Sequence, residues 1–113
     1  MPECQVSLKV APDRTSYLHG DNVLITIWAK KKNRAAAQEP VKLYVFAPSG
    51  EKVYRSRLST DSLGRAMGMY RIGKNMAAGR YYIEAHSTCT SVALASFFVL
   101  HRKQSCRKLL FSG

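Results

Sequence analysis

Seven stretches of the chain alternate apolar and polar residues with the two-residue period of a β-strand. Residues 5–10 set Val6, Leu8 and Val10 against Ser7 and Lys9. Residues 22–29 are an unbroken strand-like run: Val23, Ile25 and Ile27 on one side, Leu24, Thr26 and Trp28 on the other. Such a run suits a strand covered on both faces. Residues 41–47 place Val41, Leu43, Val45 and Ala47 opposite Lys42, Tyr44 and Phe46. Residues 52–58 are shorter in pattern and more polar. Residues 65–72 carry Gly68, the mark of a bulge or of a close backbone approach. Residues 79–86 and 91–100 are joined by small polar residues and read as two antiparallel strands.

Breakers separate these stretches. Residues 11–21 hold Pro12, Asp13 and Gly20 and read mostly as loop. Residues 30–40 are a basic loop with room for one helical turn at 35–38. Pro48-Ser-Gly50 and Thr60-Asp-Ser-Leu-Gly64 are turns, and residues 73–79 are loop. Short strands with evenly spaced turns predict an all-β fold, a seven-stranded antiparallel immunoglobulin-like β-sandwich, with a barrel as the other way to close the sheet. Tyr81 opens a late strand, the place of a tyrosine corner in such sandwiches. Trp28, Tyr81 and Ile83 are expected in the core. Residues 1–100 form the sandwich domain, and residues 101–113 a short basic C-terminal tail tipped by Leu109, Leu110 and Phe111.

Asp13-Arg-Thr-Ser-Tyr17-Leu-His-Gly20-Asp-Asn-Val23 resembles the opening of the second macroglobulin-type domain of alpha-macroglobulins. Pro40-Val41, Ala47-Pro48-Ser-Gly50, the 60–64 turn and Gly79-Arg-Tyr81 continue the resemblance. From Leu43 onward the chain is similar to a filamin-type repeat as well, ending in Ser96-Phe-Phe-Val99. Together these features cover residues 5–100. Both families are made of non-catalytic modules, so the resemblance implies scaffolding or partner binding. The basic tail belongs to neither pattern. An extracellular setting, as for a macroglobulin, and a cytoskeletal one, as for filamin, both fit the resemblance.

The 113 residues make one domain, with 18 Lys and Arg against 7 Asp and Glu and a formal net charge of +11. That balance favours anionic partners. Met1-Pro-Glu-Cys-Gln5 is followed by no apolar signal region, which favours an intracellular setting unless the chain is a piece of a longer protein. No Gly-x-Ser-x-Gly motif or phosphate loop is present, and His19, His86 and His101 sit in loops, a strand end and the tail. The expectation is no enzyme, no cofactor and no metal. His86-x-x-Cys89, with Cys4 nearby, lacks a fourth zinc ligand. For the three cysteines, free thiols are the first expectation and a Cys4–Cys89 disulfide the second.

Alternation places Tyr44, Phe46, Tyr82, Leu94, Phe98 and Leu100 on the outer side of one sheet. That many large apolar side chains call for a cover, a partner first or else the apolar tip of the tail, unless a bulge swaps the parity of one strand. Two cationic clusters flank them: Lys30, Lys31, Lys32 and Arg34 in the exposed, mobile basic loop, and Arg102, Lys103, Arg107 and Lys108 in the tail. The first reading is therefore a structural or protein-binding module that docks an acidic protein surface. The second is a basic nucleic-acid-binding protein on the same sandwich. A nucleic-acid footprint prefers one continuous basic stripe, and the two poles divide the charge.

Overall fold

The computed structural model describes residues 5–89 and 91–101. These form nine strands in two sheets: β1 (Val6–Pro12), β2 (Ser16–Leu18), β3 (Asn22–Lys31), β4 (Arg34–Ala35), β5 (Pro40–Phe46), β6 (Lys52–Ser59), β7 (Arg65–Arg71), β8 (Gly79–His86) and β9 (Val92–Leu100). In the four-stranded sheet β1, β4 and β7 all pair with β3. The five-stranded sheet runs β2-β9-β8-β5-β6. The fold is an all-β sandwich, and its long strands are those expected from alternation, within two residues at their ends.

Two short strands raise the expected count of seven to nine. Three-residue β2 lies within the predicted loop and runs parallel to β9, with Tyr17 opposite Val99. It is too short to show an alternation. β4 corrects the reading of residues 30–40. β3 continues to Lys31, which pairs with Arg34 across Lys32 and Asn33. Those two residues have φ of 54° and 65°, the left-handed conformation that a two-residue hairpin turn requires. The basic run is therefore a hairpin tip, with no helical turn after it. The segment is exposed from Lys30 to Ala35, as expected for four cations.

The core lies between the sheets. Val23, Ile25 and Ile27 of β3 face Leu43 and Val45 of β5 and Tyr81, Ile83 and Ala85 of β8. Tyr81 and Ile83 are fully buried. The Tyr81 hydroxyl donates to the Ala77 carbonyl at 2.7 Å, the tyrosine corner read from the sequence. Its ring stacks on Phe97 at 5.3 Å, and Tyr17 meets the same Phe97 edge-on at 5.3 Å. Trp28 departs from expectation. It shares its parity with Leu24 and Thr26, on the outer face of β3, and is 36% exposed. Its cross-strand neighbours there are Lys9 and Arg65, and the Lys9 ammonium lies 5.7 Å from its ring.

Gly68 is a close approach rather than a bulge. β7 keeps an unbroken register with β3 through it, and an added Cβ would sit 2.6 Å from the Leu43 Cδ2 atom. The register shift falls elsewhere, between Val45 and Phe46 on β5. The 60–64 turn is closed by Asp61, whose Oδ1 accepts from the Leu63 and Arg65 amides at 2.9 Å. Buried Thr60 donates to the Ala36 carbonyl and accepts from the Glu39 amide, tying this turn to the segment after β4.

Candidate docking surface

The five-stranded sheet turns one face to the core and the other outward. Its register sets the outward side chains in rows. Arg80 lies opposite Phe98; Phe46, Tyr82 and Ser96 share the next row; Tyr44, Glu84 and Leu94 the next; Lys42, His86 and Val92 the last. Leu100 follows beyond Phe98, opposite Leu18. Leu94 is 70% exposed, Leu100 49%, Tyr82 46% and Phe98 40%. Tyr44 and Phe46 point the same way but are half-buried, because each helps cover the other. The six side chains expected on this face are all there.

Cations sit on the aromatic rings. The Lys52 ammonium is 4.3 Å from the Tyr44 ring centre, and the Arg80 guanidinium 4.9 Å from that of Phe98. Each ring presents its negative face to the charge, an attraction of about 0.5–1 kcal/mol at exposed sites. Glu84 is the one carboxylate in these rows, and it is engaged by His86 Nε2 at 2.9 Å.

Of the predicted cations, Lys30, Lys31, Lys32 and Arg34 are exposed at the β3–β4 hairpin. Arg102, Lys103, Arg107 and Lys108 lie outside the described residues, as do Leu109 and Phe111. Sequence reasoning missed a third group. Lys42, Arg55 and Arg57 line a surface cavity of about 430 Å³ with Tyr44 and Ser56. The signal was two arginines two residues apart, hence on one face of a strand, hidden in a stretch read only as polar.

The segment after β1 is built for position. Asp13 Oδ1 accepts from the Tyr17 hydroxyl at 2.6 Å and from the Leu24 amide at 3.1 Å. The Tyr17 oxygen in turn accepts from the Arg14 amide at 2.8 Å. The bond from Tyr17, more than any other contact, holds the Asp13 carboxyl below its ordinary range. Burial, reinforced by Asp13, pushes the Tyr17 hydroxyl far up. Asp21 Oδ2 accepts from the Leu18 amide at 2.9 Å, and Gly20, at φ 93°, donates to the Ile72 carbonyl at 2.8 Å.

Cys89 is disulfide-bonded, which corrects the expectation of free thiols; Cys4 and Cys106 lie outside the described residues. The Ser91 hydroxyl donates to the Val6 carbonyl, so the start of β1 lies beside the β8–β9 loop, as the sandwich topology requires. Among the described residues no three His, Cys, Asp or Glu side chains are grouped to hold a metal ion. Among the described residues no helix is long and apolar enough to cross a membrane.

This Asp-Tyr-Gly segment, followed by the sandwich strands in this order, has a counterpart among known domains. The family model of the MG2 domain matches residues 7–99. The chain belongs to the MG2 domain family. No curated protein sequence matches it. Its fold is similar to that in Salmonella alpha-2-macroglobulin reacted with methylamine, with a TM-score of 0.76 at 19% identity over 88% of this chain. Escherichia coli alpha-2-macroglobulin activated by porcine elastase gives 0.74 at 20% identity over 83% of this chain. The MG2 domain spans only 6% and 8% of those two chains. The Lin-41 filamin domain gives 0.65 at 12% identity, over 86% of this chain and 95% of that one. These identities show a shared sandwich fold, with both resemblances read from the sequence upheld.

Proposed function

We propose that this MG2 domain is a non-catalytic module of a larger macroglobulin-type assembly, and that it docks an acidic protein surface on the outer face of its five-stranded sheet. The observation that carries the reading is the exposure of Tyr82, Leu94, Phe98 and Leu100, between 40% and 70%, on adjacent rows of one face. Exposed apolar groups of this size in a contiguous patch mark interaction sites. Aromatic residues with arginine beside them are the usual carriers of interface energy. The cations over Tyr44 and Phe98 bring positive charge to the rim, and the chain carries +11 in all. A complementary partner is therefore negative at its own rim, and charge there acts chiefly on association rate. The likeness to alpha-2-macroglobulin chains, of which this fold makes up less than a tenth, supports the larger assembly.

A photo-crosslinking amino acid at Leu94 tests the reading in the native protein. The expected product joins position 94 to a carboxylate-rich surface of another domain or subunit. Cross-links to nucleic acid, or none at all from a folded protein, overturn it. Tyr82→Ser with Phe98→Ser should abolish the cross-link while leaving the denaturation midpoint close to that of the parent.

A further inference from the structure

β6 is an open edge. Among the described residues it pairs only with β5. Its two sides are unlike each other. Toward the core it carries Tyr54 and Leu58, packed against the core yet only half-buried. The positions opposite them on β5, Val45 and Val41, are fully buried. The inner layer therefore stops one strand short of full cover. On the outer side β6 carries Arg55 and Arg57, both exposed and, as alternate residues of a strand, about 6.8 Å apart along it. Lys42 stands directly opposite Arg57 on β5. Like charges facing each other across a strand pair are destabilising. None of the three has a carboxylate within 4.0 Å among the described residues. They surround the 430 Å³ cavity, open to solvent beside the edge.

An unpaired edge supplies alternate amides and carbonyls to an incoming strand. The side chains on either side decide which strand. A strand added to β6 has the same rise per residue, so its alternate side chains fall opposite Arg55 and Arg57. Carboxylates there neutralise the three cations, and apolar residues between them cover Tyr54 and Leu58. A second copy of β6 is a poor occupant. Antiparallel pairing centred on Ser56 sets Arg55 against Arg57 in both pairs. The same charges thus repel the chain's own edge and attract an acidic one.

We propose that β6 is a recognition edge for an extended peptide segment alternating carboxylate and apolar residues, added as a sixth strand of the sheet. This site is the strand edge that borders the aromatic face and shares Tyr44 with it; its recognition is by edge pairing and does not rest on the docking reading above.

The test uses the full 113-residue chain and labelled octapeptides followed by fluorescence anisotropy. The first peptide alternates Glu and Val. The second has the same composition with Glu and Val in two blocks. The third is the alternating peptide fully N-methylated, which keeps its charge but has no amide to donate. The alternating peptide is expected to bind, and the other two to bind at least about tenfold more weakly. Equal binding of all three shows charge attraction alone and overturns the proposal, as does failure of the first to bind at low salt. A double variant, Arg55→Glu with Arg57→Glu, should prefer an alternating Lys–Val peptide; an unchanged preference for Glu–Val overturns the proposal too. Tyr82→Ser with Phe98→Ser should leave peptide affinity unchanged, which separates this site from the face.

Discussion

Tyr81 does two jobs with one side chain, and they can be separated. Its ring fills the core against Phe97 and its hydroxyl satisfies the Ala77 carbonyl. Tyr81→Phe keeps the ring and leaves a carbonyl unpaired, an expected cost of about 1–2 kcal/mol. Tyr81→Ala also empties the site, and about 3–5 kcal/mol is expected. Denaturant unfolding of both variants checks the pair of values, and equal costs would show that the ring contributes nothing beyond its bond. Asp13 is the second such residue. Its carboxylate holds Tyr17 and the Leu24 amide, so Asp13→Asn should weaken both attachments and lower the thermal midpoint. The visibility of these residues in the sequence differs. Tyr81 announces itself, because a Gly and a strand pattern place it. The role of Asp13 is legible only as part of a family pattern, since a carboxylate that reaches Leu24, eleven residues away, leaves no local periodicity.

At the level of elements, alternation reveals strands of seven or more residues and hides those of two or three. That is why β2 and β4 escaped the sequence reading. The hairpin tip escaped for another reason. Lys32 and Asn33 are not the Asn-Gly pair that signals such a turn, yet both adopt positive φ. Replacing them with Asn-Gly should stabilise the protein by about 0.5–1 kcal/mol, and Asn33→Val should cost a similar amount, read from the denaturation midpoint. Parity predicts which residues share a face but not whether the face is covered, so Trp28 was placed inside and lies at the surface. The outer aromatic face was legible because parity alone decides it. The cavity beside β6 was not, for it depends on Lys42 of one strand meeting Arg57 of the next. Gly68 tests the space between the sheets. Gly68→Ala drives a methyl toward the buried Leu43 side chain and should cost about 1–3 kcal/mol.

Across the whole molecule, stability should fall at both ends of the pH scale for nameable groups. Asp13 and Asp61 have carboxyls held below the ordinary value of 3.8 by hydrogen bonds that accept on the charged form. A lowered folded value gives stability that is present above 3.8 and lost as pH drops through the folded value. Asp13→Asn should therefore flatten the acid limb of a stability–pH profile. Burial pushes Tyr70 up to about 12, and raises Tyr81 also. A raised value gives stability held below pH 10 and lost as pH climbs from 10 to about 12, so Tyr70→Phe should preserve the fold further into alkali. The parallel pairing of β2 with β9 has a consequence of a different kind. Tyr17 meets Val99, so β2, early in the chain, waits for β9 before it has a strand to pair with. Chains are synthesised at about 5–20 residues per second, so some seconds pass between the two. During that interval Tyr17 and the β-rich first half have no completed second sheet to lie against. The expectation is that this domain completes its second sheet on the ribosome only once β9 has emerged, whatever early hairpins form before it.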